Sequence, residues 1–118
     1  MSSSTMQVAH GVHPRTAAEL AGLRDLLEQQ RSFRCDQLDQ LRRSDLPGMR
    51  SDTDREITES LVVGARAALR DVLQALRRMD DGSYGSCRRC AAWLPIERLE
   101  VLPQVGLCMS CQRDAEAS

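Results

Sequence analysis

Two Cys-x-x-Cys pairs, Cys87-Arg-Arg-Cys90 and Cys108-Met-Ser-Cys111, stand 17 residues apart, and this spacing constrains the chain more than any other feature. Each pair can wrap one side of a tetrahedral ion, and the intervening loop can bring the two pairs together. Four thiolates leave no open coordination position, which defines a closed, structural zinc site rather than a catalytic one. No His or carboxylate lies at the spacing an open site would use. Two other chemistries compete for such cysteines. A redox dithiol needs one pair only, beside a βαβ pattern that this chain lacks. An iron–sulfur cluster shares the tetrahedral sulfur ligation and stays open as a reading. A metal staple suits a chain of 118 residues with 3% aromatic content, because so few large side chains build only a small core.

The charge balance is even. Sixteen basic and 17 acidic residues give a net charge of −1, which argues against binding nucleic acid by charge alone. No run of 18 apolar residues occurs, and the first residues lack a basic start with an apolar stretch behind it. A membrane span and a secretory signal are therefore not expected, and the expected location is cytoplasmic.

Residues 1–15 show no hydrophobic period and read as a disordered tail. Residues 16–80 read as a helical hairpin with its turn at about 44–53. Thr16 with Glu19 forms a capping box, and Leu20, Leu23, Leu27, Leu38 and Leu41 follow on a helical stripe to about Arg43. Pro47-Gly48 marks the turn. A second capping box, Thr53 with Glu56, opens a second helix ending near Asp80, ahead of Gly82 and Gly85. Two helices of roughly equal length joined by a short turn imply an antiparallel coiled-coil hairpin. Pairing their ends sets Phe33 opposite Gly64, with Ala65 and Ala68 nearby. Residues 81–118 then form a small four-cysteine zinc-finger module. It carries one short helix led by Pro95 and another starting at Leu107–Cys108. The fold class is mainly α.

Several side chains outside the cysteine pairs invite a role. Asp52 and Asp54 sit at the hairpin tip, where they either cap the second helix through its dipole or contact a partner. Arg66, Arg70 and Arg77 fall on one helix face, which reads first as solvated, and Arg70 and Arg98 are kept as contact residues. Cys35 reads as a small, half-buried residue of the helix seam. His10 and His13 fall in the tail.

Gly-Ser-Tyr-Gly-Ser-Cys87-Arg-Arg-Cys90, Leu-Pro-Ile-Glu-Arg98-Leu99-Glu100, Pro103 and Leu107-Cys108-x-x-Cys111-Gln together resemble the DksA/TraR family of bacterial zinc-finger transcription factors. The resemblance is specific over roughly residues 80–113. It implies one structural zinc ion, no active site, and a partner, RNA polymerase, rather than sequence-specific DNA. It further implies that the hairpin enters the polymerase secondary channel with its acidic tip near the catalytic centre. The family tip pattern is Asp-x-x-Asp-x-Ala. Aligned on the Asp-Arg pair, Asp54 takes the second Asp, Ser51 the first and Glu56 the Ala. The alarmone ppGpp acts with members of the family through basic side chains. Counting from the cysteines, the matching positions are Asp71, Leu102 and Gln112. A carboxylate, an isobutyl group and an amide are poor partners for phosphates, so a weak ppGpp response is expected. The competing functional class is a zinc-ribbon adapter or nucleic-acid-binding protein. It would need a basic patch, whereas residues 80–118 hold six acids against four Arg.

Overall fold

A computed structural model describes residues 13–43 and 51–117. Residues 44–50 of the turn expected at about 44–53, His10 and most of the expected tail lie outside the described residues. Four helices follow one another: α1 (Ala17–Arg43), α2 (Asp52–Asp81), α3 (Ile96–Val101) and α4 (Met109–Ala117). Among the described residues there is no strand, only an isolated bridge between Ser86 and Trp93. The molecule is elongated, 69 × 33 × 24 Å, because α1 and α2 pack side by side as a hairpin and the cysteine module sits at its foot.

The start of α1 is closed by the capping box read from the sequence. The Thr16 N–H donates to Glu19 Oε1 at 2.8 Å, and the Glu19 N–H donates to Thr16 Oγ1 at 3.0 Å. The start of α2 differs from the expectation. Its cap is Ser51, whose Oγ accepts from the Asp54 N–H at 3.1 Å, and Thr53 lies inside the first turn. This earlier start brings both Asp52 and Asp54 to the positive end of the helix dipole. At the other end Gly82 adopts φ 84, a left-handed conformation that costs glycine nothing. The N–H groups of Gly82, Ser83 and Tyr84 all converge on the Arg78 carbonyl.

The seam is not the one that equal helix lengths implied. On α2 the buried residues are Thr58, Ala65, Val72, Ala75 and Leu76. Adjacent helical residues point about 100° apart. With Ala65 in the seam, Gly64 therefore faces away, and nothing lies within 4 Å of where its Cβ would stand. Phe33 is 61% exposed and does not pack on it. The equal-length register set Asp80 opposite Ala17. In the structure Asp80 instead pairs with Arg24 at 2.9 Å, about two turns further along α1. Cys35 is exposed too, and so lies off the seam. One expected result follows. Gly64→Ala should raise stability by about 1 kcal/mol, the helix-propensity difference at an open site, seen as a higher urea midpoint with unchanged slope.

One apolar core joins the hairpin to the module. Leu23 and Leu27 of α1, and Val72, Ala75 and Leu76 of α2, pack with Tyr84, Cys87, Leu94, Leu99 and Cys111. The Tyr84 hydroxyl is buried and donates to the Pro103 carbonyl at 2.9 Å, and burial pushes its pKa up to about 12. Residues 13–15, expected within the tail, close this foot. His13 Nε2 lies 2.6 Å from the Tyr84 carbonyl, its ring meets Trp93 edge-on at 4.8 Å, and the Arg15 guanidinium donates to the Leu94 carbonyl at 2.7 Å.

Candidate metal centre and hairpin tip

Each cysteine pair sits on a tight backbone loop. Around the first, Gly85 adopts φ 88 and Ala91 φ 65. These two left-handed residues fold the chain back, so that the Cys87 N–H donates to Ala92 O at 2.7 Å and the Ala91 N–H to Cys87 O at 2.8 Å. The second pair leads into α4, so N–H groups of its first turn point at sulfur: Cys111 N–H to Cys108 Sγ is 3.4 Å. The Arg88 N–H donates to Gly106 O at 2.9 Å and ties the two loops together.

The four sulfurs of Cys87, Cys90, Cys108 and Cys111 lie within 4.8 Å of one another. Cys90 Sγ and Cys108 Sγ are 3.8 Å apart, far beyond a disulfide bond of about 2.05 Å. A tetrahedron with Zn–S bonds of about 2.3 Å has edges of roughly 3.8 Å. The cluster thus fits one structural zinc ion. Its electrostatics point the same way. Burial pushes the Cys87 thiol up, but N–H groups of Cys108, Cys90 and Arg89 outweigh it and hold the pKa at about 5. The Cys111 N–H and thiol hold Cys108 below its ordinary value. Cys111, crowded by the Cys108 sulfur and by burial, is pushed up to about 12. Four thiolates so close cannot all ionise unaided, and a divalent cation removes that repulsion.

Asp52 and Asp54 are exposed on the first turn of α2, at the opposite end of the hairpin from the cysteines. Arg66, Arg70 and Arg77 are exposed along α2. Arg98 sits on α3, where its guanidinium donates to Leu107 O at 3.3 Å and so braces the segment entering Cys108. Asp71, Leu102 and Gln112 do converge, lining one cavity of about 510 Å³. Arg88, Arg98 and Arg113 line the same cavity. Three anchoring side chains escaped the sequence reading. Arg78 reaches Ser83 O at 3.0 Å, Ser86 Oγ at 3.2 Å and the Ser86 carbonyl, and burial lowers its pKa despite Asp81 nearby. His13 and Arg15 likewise bind backbone carbonyls. The only sequence signal for Arg78 was a basic residue in the last turn before a helix-ending glycine.

A four-thiolate zinc finger at the foot of a two-helix hairpin is the class that fold and site define. Within that class the finger is of the DksA/TraR type: residues 82–117 match the prokaryotic dksA/traR C4-type zinc finger, as the resemblance implied. General stress protein 16O of Bacillus subtilis (strain 168) is 36% identical over 64 residues, 54% of this chain and 39% of that protein. The RNA polymerase-binding transcription factor DksA of Escherichia coli (strain K12) is 31% identical over 51 residues, 43% of this chain and 34% of that protein. The chain thus matches about two-fifths or less of the length of these relatives. The structure of transcription factor DksA2 from Pseudomonas aeruginosa superposes with a TM-score of 0.71 over 86% of this chain and 85% of that one. At 24% identity that likeness speaks for the fold. No helix among the described residues is long and apolar enough to cross a membrane.

Proposed function

We propose that this protein is a cytoplasmic transcription regulator that binds RNA polymerase and has no active site of its own. Cys87, Cys90, Cys108 and Cys111 hold the zinc ion that fixes the foot. The hairpin enters the secondary channel, and Asp52 and Asp54 act at its tip. The observation that carries this reading is a zinc finger of the DksA/TraR type fused through one core to a hairpin with an acidic end. Carboxylates delivered to a catalytic metal centre alter its ion atmosphere without chemistry of their own.

The test is affinity for purified RNA polymerase core alongside transcription from a promoter that responds to the protein. Asp52→Asn with Asp54→Asn should leave polymerase affinity within a few-fold and abolish the transcriptional effect. A parallel fall in both would make the tip a docking element instead. The same assay, run with a polymerase lacking any other ppGpp site, addresses the alarmone. The three counted positions offer it no cation, and Asp71 repels it, so little synergy is expected. Strong synergy that disappears in Arg98→Ala would assign phosphate binding to the arginines of the cavity.

A further inference from the structure

The only Phe of the chain is on its surface. Phe33 projects from α1 at 61% exposure, and Val101 at the end of α3 is 76% exposed. Far apart in sequence, they line one groove of about 510 Å³ between hairpin and module, together with Leu26 and Pro103. Large apolar side chains gathered on one concave surface mark a protein contact, whereas scattered ones do not. The charge around this groove is also one-sided. Asp71 of α2 and Glu100 of α3 line it, and neither makes an ion pair among the described residues. Among the described residues the one cation lining the groove, Arg34, is already engaged: it donates to Gln37 Oε1 at 2.8 Å and lies 5.3 Å from the Phe33 ring centre. What the groove offers is the exposed apolar side chains of Phe33 and Val101 set among the amides of Gln29, Gln30 and Gln104, with unpaired negative charge on its walls.

We infer that this groove seats a segment of RNA polymerase that presents an aliphatic or aromatic anchor beside a lysine or arginine. The inference rests on the polymerase-binding reading and assigns the docking surface to the foot, away from the tip. A buried anchor supplies the affinity of such a contact, while an acid on the wall selects the partner and speeds encounter at low salt.

The test compares wild-type protein with Phe33→Ala, Val101→Ser and Glu100→Arg for affinity to purified polymerase core at two salt concentrations, with zinc bound throughout. All three positions are exposed and lie on two different helices, so circular dichroism should match wild type. Phe33→Ala and Val101→Ser should each weaken binding at least tenfold. Glu100→Arg should weaken it and flatten its salt dependence. If wild type binds and all three variants bind equally well, the groove is not the docking surface, though the polymerase reading stands. If wild type does not bind, that reading fails and this one with it. If wild type self-associates and Phe33→Ala makes it monomeric, the occupant is a second copy and the inference is overturned.

Discussion

Cys108→Ser should unfold residues 82–117 while α1 and α2 keep most of their helicity. Among the described residues the module buries few side chains of its own, chiefly Tyr84, Cys87, Leu94, Leu99, Pro103 and Cys111, too little to hold so many loop residues in place. Structural zinc contributes about 10–16 kcal/mol in finger peptides, several times what such a core supplies. With three thiolates left, the tetrahedron is open, and the raised Cys111 loses the cation that kept it ionised. The shared core carries the damage further. Leu23, Leu27, Val72 and Leu76 pack on the module, so the foot of the hairpin should loosen and its melting temperature fall. Amide exchange resolves the three zones: unprotected over 82–117, weakened at the foot, unchanged elsewhere. Chelation of the wild-type protein should reproduce the pattern. Native protection in the zinc-free protein would show that the module folds on side-chain packing alone.

Arg78→Met should cost roughly 3 kcal/mol in urea unfolding while leaving zinc stoichiometry unchanged. The guanidinium closes the turn between α2 and the first cysteine loop by reaching Ser83 O, Ser86 Oγ and the Ser86 carbonyl. Hydrogen bonds from a charged donor contribute about 1.5–3 kcal/mol each, and carbonyls left without a partner in a half-buried turn add to the loss. Arg78→Lys should not rescue it, because one ammonium cannot reproduce the planar group whose Nη2 reaches the Ser83 and Ser86 carbonyls while its Nε donates to Ser83 Oγ at 3.3 Å. A loss below about 0.5 kcal/mol would mean that water replaces the guanidinium at these carbonyls, as at an ordinary surface site.

How far the fold could be read depended on whether partners are close in sequence or share a chemistry. Thr16 and Glu19 are three residues apart, so their reciprocal bonds could be read directly. The four thiols have a chemistry with few uses, and their spacing matched it. Phe33 could not be placed the same way. A seam built from Thr58, Ala65 and Val72 gives no steric cue to register, and the start of α2 depended on a choice between Ser51 and Thr53. Arg78, His13 and Arg15 were illegible for a different reason. Their partners are backbone carbonyls of Ser86, Tyr84 and Leu94, and a carbonyl leaves no mark in an amino-acid sequence. The positions Asp71, Leu102 and Gln112 were found by counting from the cysteines, and they do share a cavity. The counting carried no knowledge of Arg88 and Arg113, which the fold brings in from the first cysteine loop and from α4.

The burial pattern along the hairpin makes it a cantilever. Both buried residues of α1, Leu23 and Leu27, lie in the half nearest the module, where the shared core, Arg78 and the His13–Arg15 contacts act as the clamp. Beyond Leu27 no described residue of α1 is fully buried, and α2 contributes only Thr58 and Ala65. Local opening is cheapest where the fewest apolar groups must be uncovered. Deflection therefore grows toward the free end, and a load applied at Asp52 or Asp54 bends the outer turns before it strains the foot. Zinc sets the stiffness of the mount, and the surface that meets the tip sets where the tip comes to rest.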